Sequence, residues 1–294
     1  MTPLADTARA KVNLTLRVLG RRPDGYHELE SVVAFAGTAD RLTLDPGGTD
    51  GLSVTGPRAA ECGEIGDNLV SRAARALGEA IPGLKSGHFT LDKHLPAAAG
   101  IGGGSADAAA ALRLLAVHNG IAWDDKRVMD VARATGADIP VCVASKACIM
   151  AGVGESLTPL DLPSMPCVLV NPRVPVATKD VFAALGLKPG QLRAGVSEVL
   201  EAIAWPASGA PVNAWLDVIA GGTNDLEAPA IRIQPVIKDV LSELRAAEGV
   251  RLARMSGSGA TCFAIFSNDA DAERAAGVIR ASHPNWWVEA SVLS

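Results

Sequence analysis

The sequence predicts an α+β fold in two domains, and three observations carry that prediction. The chain has 294 residues, where globular domains commonly hold about 100–200. Hydrophobic residues make up 48% and charged residues 20%, enough to bury a sizeable core. Strand-like and helix-like periodicities are mixed along the chain without a regular strand–helix alternation, which favours α+β layers over a βαβ array.

Taken in order, the first strong pattern covers residues 10–19. Val12, Leu14, Leu16 and Val18 alternate with Lys11, Asn13, Thr15 and Arg17, the period of a half-buried strand whose polar face carries Lys11 and Asn13 together. The turn Arg22-Pro23-Asp24-Gly25 follows, then strand-like runs at 31–35, 41–44 and 52–55. Asp67 is read as the N-cap of a helix whose Leu69, Val70, Ala73, Ala74, Leu77 and Ala80 recur at helical spacing, ended by Pro82-Gly83. A short strand at 89–91 leads through a glycine-rich turn into an Ala-rich helix over 105–119, and Asp124 caps a further helix closing at Gly136. The second half opens on a Pro-rich stretch, 159–175, followed by helical patterns near 179–185, 196–203 and 231–248. The end reads strand (251–255), glycine turn, strand (261–266), helix (269–282) and strand (286–292). No fixed-period repeat is present.

Composition excludes several kinds of partner. Lys and Arg number 27 against 32 Asp and Glu, a net charge of −5, and the one short basic cluster is Arg21-Arg22. Aromatic residues are 4%, with a single Tyr, few for stacking along a nucleic-acid strand. The expectation is a small-molecule partner, with no nucleic acid and no membrane. The five cysteines (62, 142, 148, 167 and 262) include no C-x-x-C pair and sit mostly in apolar strings. They read as buried thiols rather than zinc ligands or disulfides. Residues 1–10 lack a basic segment followed by an apolar run, and no stretch approaches the roughly 20 apolar residues of a membrane span. A cytoplasmic location is expected.

The central chemical feature is the loop before the Ala-rich helix: Pro96, Ala97, Ala98, Ala99, Gly100, Ile101, Gly102, Gly103, Gly104, Ser105 and Ala106. Four glycines before a helix N-terminus allow close backbone approach and present unpaired N–H groups, the requirements of a phosphate cradle. No lysine follows the glycines, so a Walker A loop is rejected. Ser105 occupies the third glycine position of a dinucleotide fingerprint, which rejects that too. A flexible loop feeding a helix stays as the plain alternative. A second cluster, Ser256-Gly257-Ser258-Gly259, reads as a strand-connecting loop when taken alone. Asp138, between Gly136-Ala137 and Ile139-Pro140, is either a carboxylate for phosphoryl chemistry or a simple helix cap. Lys11 is either its cationic partner or a solvated lysine on a strand face.

Together the segment from Ala10 to Leu16, the 96–109 loop and the 256–261 cluster resemble the GHMP kinase superfamily. Arg22-Pro23-Asp24-Gly25-Tyr26-His27-Glu28-Leu29, Asp67-Asn68-Leu69 and Gly136-Ala137-Asp138-Ile139-Pro140 resemble the branch whose acceptor is a cytidine-diphosphate-linked methylerythritol. The resemblance spans about positions 8 to 267. It implies ATP-dependent phosphorylation of that acceptor's tertiary 2-hydroxyl, on the non-mevalonate route to isoprenoid precursors, with Mg²⁺. The implied fold is the two-domain GHMP kinase fold: a ribosomal-protein-S5-like N-terminal domain (1–160) and a ferredoxin-like C-terminal domain (161–294). Carried over by position, Asp138 and Lys11 are the catalytic pair, residues 96–106 hold the ATP phosphates, and Asn68 reaches the adenine. Asn13 lines the acceptor pocket, Tyr26 and His27 hold the cytosine, and Phe182 covers its second face. Val141 replaces an aromatic residue frequent in the family, and no equivalent of a helix glutamate that binds Mg²⁺ is found, so the metal ligands are unassigned. A monomer or weak homodimer is expected. Another GHMP kinase, acting on homoserine, mevalonate or a sugar, would have no reason for the Tyr26-His27 pair. A non-catalytic nucleotide-binding module would need the loop but not Lys11 and Asp138.

Overall fold

The computed structural model describes residues 2–193 and 205–294; the helical pattern expected at 196–203 lies outside the described residues. In chain order the described strands are β1 (Leu4–Asn13), β2 (Arg17–Arg21), β3 (His27–Asp45), β4 (Gly51–Thr55), β5 (His88–Asp92), β6 (Cys148–Gly152), β7 (Ser156–Pro159), β8 (Met165–Asn171), β9 (Val250–Met255), β10 (Cys262–Phe266) and β11 (Trp287–Leu293). The described α-helices are α1 (Leu69–Ala80), α2 (Gly103–His118), α3 (Lys126–Thr135), α4 (Ile139–Ala144), α5 (Thr178–Ala183), α6 (Val212–Ala220), α7 (Glu227–Ile233), α8 (Val236–Ala246) and α9 (Asp269–Ser282). They fall into two compact units between which the chain passes repeatedly. The first holds the residues up to Lys11, Thr38–Ala97 and Gly102–Ser145; the second holds Val12–Gly37, Ala98–Ile101 and the described residues from Lys146 onward.

In the first unit, β5 pairs antiparallel with the end of β3, Leu44 opposite Phe89, and β4 pairs parallel with β5, Leu52 opposite the same Phe89. The alternation that predicted these strands buries Leu42, Leu44, Leu52, Phe89 and Leu91. The helix α2 packs against α1 and α4, and residues 106–112 are all buried. Its alanines suit a helix surrounded by neighbours at close range. The caps differ from expectation by one residue. Asn68, not Asp67, takes the extended backbone and accepts from Val70 N at 2.9 Å. Likewise Asp125, not Asp124, accepts from Arg127 N at 2.9 Å. Both pairs offer two adjacent capping side chains, and the chain path selects one. The helix α2 begins at Gly103, ahead of the expected Ser105, because the left-handed turn at Gly102 (φ 62°) already aims the chain into it.

In the second unit, β11-β8-β10-β9 lie side by side, all antiparallel. Connected as β8, helices, β9, β10, α9, β11, they form a ferredoxin-like layer. Ile237, Val240, Leu241 and Leu244 of α8 and Ala272, Ala276 and Ile279 of α9 share a core with Val168, Val170, Ala264 and Phe266 of the sheet. The Pro-rich stretch, for which no strand was expected, contains β8, whose residues from Cys167 to Asn171 are all buried. The helix expected over 231–248 is two, α7 and α8, parted at Pro235, whose missing N–H and ring bulk interrupt a continuous helix. The strand expected over 10–19 likewise breaks after Asn13 and resumes at Arg17. The mixed, mainly antiparallel result is the α+β class that the sequence predicts. Cys142, Cys148, Cys167 and Cys262 are buried and unbridged, and burial pushes the Cys142 and Cys167 thiols up to about 12. Among the described residues no helix is long and apolar enough to cross a membrane.

Candidate active site

In the first unit Lys11 and Asp138 meet. Lys11 is 4% exposed, and its ammonium lies 3.0 Å from Asp138 Oδ2. Both plain alternatives fail on geometry. Lys11 is not solvated, and Asp138, although it precedes α4, makes no side-chain bond to that helix's N–H groups. Its side chain is 39% exposed against 5% for Lys11, so a buried cation backs an accessible carboxylate.

The glycine-rich loop ends on this pair. A Cβ built on Gly102 would stand 3.3 Å from Lys11 Cε, and the residue's φ is +62°. Glycine therefore suits the left-handed turn, and a side chain there would also press on Lys11. The first main-chain bond of α2 runs from Ala106 N to Gly102 O at 2.8 Å. The N–H groups of Gly103, Gly104 and Ser105 thus occupy a first turn that has no acceptor within the helix, at the positive end of its dipole. Gly104 is exposed and Ser105 partly so, so the helix head offers unpaired N–H groups to solvent beside a carboxylate–ammonium pair, the chemistry an anion requires. Leu69 approaches the same end, its Cδ1 3.4 Å from where a Cβ on Gly104 would sit, and Asn68 precedes it in the chain.

Loop residues Ala98, Ala99, Gly100 and Ile101 belong to the second unit, and there the second glycine cluster holds them. A Cβ on Gly100 (φ +75°) would come within 2.6 Å of Gly259 O and 2.8 Å of Ser256 O. Thr261 N donates to Ala99 O at 3.1 Å, and Ser256 Oγ donates to Gly100 O at 3.2 Å. Asn13 N donates in turn to Ser256 Oγ at 3.1 Å, and the Asn13 amide donates to Ser31 Oγ at 2.7 Å. Asn13 is 1% exposed. A segment that sequence reads as an ordinary connecting loop thus forms the backing of the first loop.

The aromatic set also lies in the second unit. The His27 ring stacks on Phe182, centroids 4.5 Å apart at 27°, while Tyr26 is 63% exposed. Burial, with the Arg21 charge adding to it, holds His27 below its ordinary pKa, which keeps the ring neutral near pH 7.

Sequence reasoning missed a buried charge cluster under the loop entry. Lys93 Nζ donates to Asp40 Oδ2 at 2.5 Å and to Asp107 Oδ2 at 2.6 Å. Asp40 Oδ1 accepts from His94 N at 2.5 Å and Leu95 N at 2.8 Å. Lys93 N donates to Thr55 O at 2.8 Å, and Ala97 N to Glu61 Oε2 at 3.1 Å. Since Pro96 has no N–H, every main-chain donor from 93 to 97 is held. Burial pushes Asp107 up to about 7 against the pull of Lys93. Lys93 itself, lowered by burial, is carried above its ordinary value by the two carboxylates. A lysine just before the loop and one carboxylate in an alanine run were the available signals. Asp40, distant in sequence, offered none. Among the described residues no group of three or more His, Cys, Asp or Glu is arranged to hold a metal.

Comparison with known proteins places the chain in a family. The family model for the GHMP kinases N terminal domain matches residues 68–146, and that for the GHMP kinases C terminal matches residues 199–285. The chain belongs to the GHMP kinase family. It is 68% identical over 293 residues to a 4-diphosphocytidyl-2-C-methyl-D-erythritol kinase of Nitrobacter hamburgensis, covering 100% of this chain and 96% of that one. To the protein of that name from Rhodopseudomonas palustris strain CGA009 it is 65% identical over 291 residues, covering 99% and 97%. A crystal structure of 4-(cytidine 5'-diphospho)-2C-methyl-D-erythritol kinase superposes with a TM-score of 0.78 at 35% identity, covering 99% of both chains. A homoserine kinase of Cytophaga hutchinsonii, 17% identical with a TM-score of 0.68 over 100% and 95% of the chains, shares the fold.

Proposed function

We propose that the protein transfers the γ-phosphoryl group of ATP to the tertiary 2-hydroxyl of 4-diphosphocytidyl-2-C-methyl-D-erythritol, a step toward isoprenoid precursors by the non-mevalonate route. The observation that carries the reading is the Lys11–Asp138 pair at 3.0 Å, seated against the Gly102 turn at the head of α2. Full-length similarity to kinases bearing that substrate's name supports the acceptor over homoserine, mevalonate or galactose.

In this reading the N–H groups of Gly103, Gly104 and Ser105 hold phosphate oxygens, with residues 96–102 and Ala106 shaping the cradle. Asp138 orients the acceptor hydroxyl and takes its proton as the phosphoryl group moves in line. Lys11 fixes the Asp138 carboxylate and steadies the hydroxyl oxygen, so the pair acts by positioning and electrostatics. Asn68 spends its carbonyl oxygen on α1, so its amide NH₂ is the group to meet adenine. Tyr26 stacks on the cytosine, neutral His27 hydrogen-bonds its edge, and Phe182 backs His27. Asn13, buried, shapes the acceptor pocket through the Ser256 loop rather than from an open face. Ser105 would be the protein hydroxyl to help hold a Mg²⁺ ion arriving with ATP. Asp107 is unsuited because it is buried, with Lys93 holding its Oδ2. When bound, the ion offsets charge on the β- and γ-phosphates.

The net charge of −5 disfavours non-specific binding to nucleic acid or anionic membrane and fits small-molecule partners; a cytoplasmic monomer or weak homodimer goes with this reading. A division of the two family domains near residue 160 is supported by family models lying on either side of it, at 68–146 and 199–285. An ATP-consumption assay with the cytidyl acceptor, mevalonate, homoserine and galactose tests the function; turnover is expected with the first alone. Asp138→Asn should lower kcat by about 10²–10⁴. A variant keeping more than roughly a tenth of kcat would remove Asp138 from proton transfer. ATP binding without turnover on any acceptor would leave a nucleotide-binding module instead.

A further inference from the structure

Arg113 lies on α2, beyond the glycine-rich loop, and has no part in the chemistry above. Its side chain is 17% exposed and its guanidinium reaches two separate elements. On β1, Nε donates to Asp6 Oδ2 at 2.7 Å and Nη2 to Thr7 O at 3.0 Å. On α4, Nη1 donates to Cys142 O at 2.7 Å, with Val143 O at 3.4 Å. The strand β1 carries Lys11, and Asp138 immediately precedes α4. A single planar cation therefore ties together the two elements that bear the ion pair, at their ends away from it.

Physical reasons make this tie consequential. The helix α4 has six residues, too few to be stable by its own hydrogen bonds. Its last carbonyls lack intrahelical donors, and a cation at a helix C-terminus is favourable. Only arginine offers a rigid fork of five donors that can serve a carboxylate and the carbonyls of two backbones at once. We infer that Arg113 is a positioning residue for phosphoryl transfer: by clamping β1 to α4 it sets the separation and aim of Lys11 and Asp138. The inference rests on the reading of that pair as the reacting groups.

The test is Arg113→Met, which removes every contact of the fork, made in the wild-type and Asp138→Asn backgrounds. The kcat and both KM values are measured at a temperature where circular dichroism shows each variant folded. In the wild-type background kcat should fall about 10–100-fold, the cost of a misplacement on the order of 1 Å, with both KM values within about threefold. In the Asp138→Asn background the same substitution should cost less than about threefold, because the group it positions is gone. Equal losses in both backgrounds, or a wild-type kcat in folded Arg113→Met, overturn the inference. If Asp138→Asn alone keeps more than about a tenth of kcat, the reading of the pair fails and takes the inference with it, a result legible without Arg113. Should Arg113→Met not fold, Arg113→Lys keeps the charge but loses the fork. A severalfold lower kcat at unchanged KM then supports the clamp, and a wild-type kcat sinks it.

Discussion

Lys11 and Asp138 lie far apart in sequence, and each has an ordinary explanation when read alone. Their meeting at 3.0 Å, with Lys11 4% exposed, is a tertiary result. Tyr26 and His27 are adjacent, so their proximity was never in question; their environments were. Tyr26 is 63% exposed, and covering its ring with one base is worth about 1–3 kcal/mol on the scale of single-base stacking. Tyr26→Ala should therefore raise the KM for the cytidyl acceptor roughly 5- to 150-fold and leave the KM for ATP nearly unchanged. Equal losses for both substrates would remove this residue from the cytosine site. Burial and Arg21 keep His27 neutral above its lowered pKa. The acceptor KM should consequently be flat from pH 7 upward and rise only as acidification below the ordinary histidine range protonates the ring, while a KM already climbing between pH 8 and pH 7 would contradict a neutral His27 at the base.

Elements explain how a loop of glycines becomes a defined site. Its entry is fixed from below by Asp40, Thr55 and Glu61. Its middle is fixed by Thr261 and Ser256, and its exit by the start of α2. Asp107, on α2, links the helix to the entry through Lys93. Burial raises its folded-state pKa to about 7 from an ordinary 3.8, so folding favours the protonated form. The stability this contributes is present below pH 3.8 and is lost as pH rises through 7. Asp107→Asn cannot ionise. Urea unfolding at pH 5, 6, 7 and 8 should therefore show the variant gaining on the wild type as pH rises to about 7 and holding level above it. A difference independent of pH would mean that Asp107 is ionised throughout. The loop itself was legible in the sequence because four glycines before a helix are a local signal. Its supports were not, since a carboxylate 53 positions away (Asp40 to Lys93) leaves no periodicity to read.

At the scale of the molecule, the second unit depends on one core shared by α8, α9 and the antiparallel sheet. Leu241 is 1% exposed within it, and Leu241→Ala should cost about 2–5 kcal/mol, a large share of the roughly 5–15 kcal/mol that holds a typical protein folded. Chemical denaturation measures this directly; a loss under about 1 kcal/mol would show that the site collapses around the deletion. The four strands of this layer come from 165–171, 250–255, 262–266 and 287–293. Three were read directly, two flanking the glycine turn and one following the last helix. The fourth, β8, was hidden by the prolines around it, and its unbroken burial from Cys167 to Asn171 leaves no alternation to read.

The sequence by itself determined the class of fold, the glycine-rich loop, the GHMP kinase family and the residues worth watching, because turns and glycine runs are local chemistry. Only the tertiary structure decided that Lys11 is buried against Asp138, that Asn68 and Asp125 are the true caps, and that the second glycine cluster backs the first. The same holds for Asp40, Lys93, Asp107 and Arg113. Burial and hydrogen-bond partnership are properties of chain paths crossing in space, and a residue's neighbours in sequence do not encode which distant backbone will need its charge.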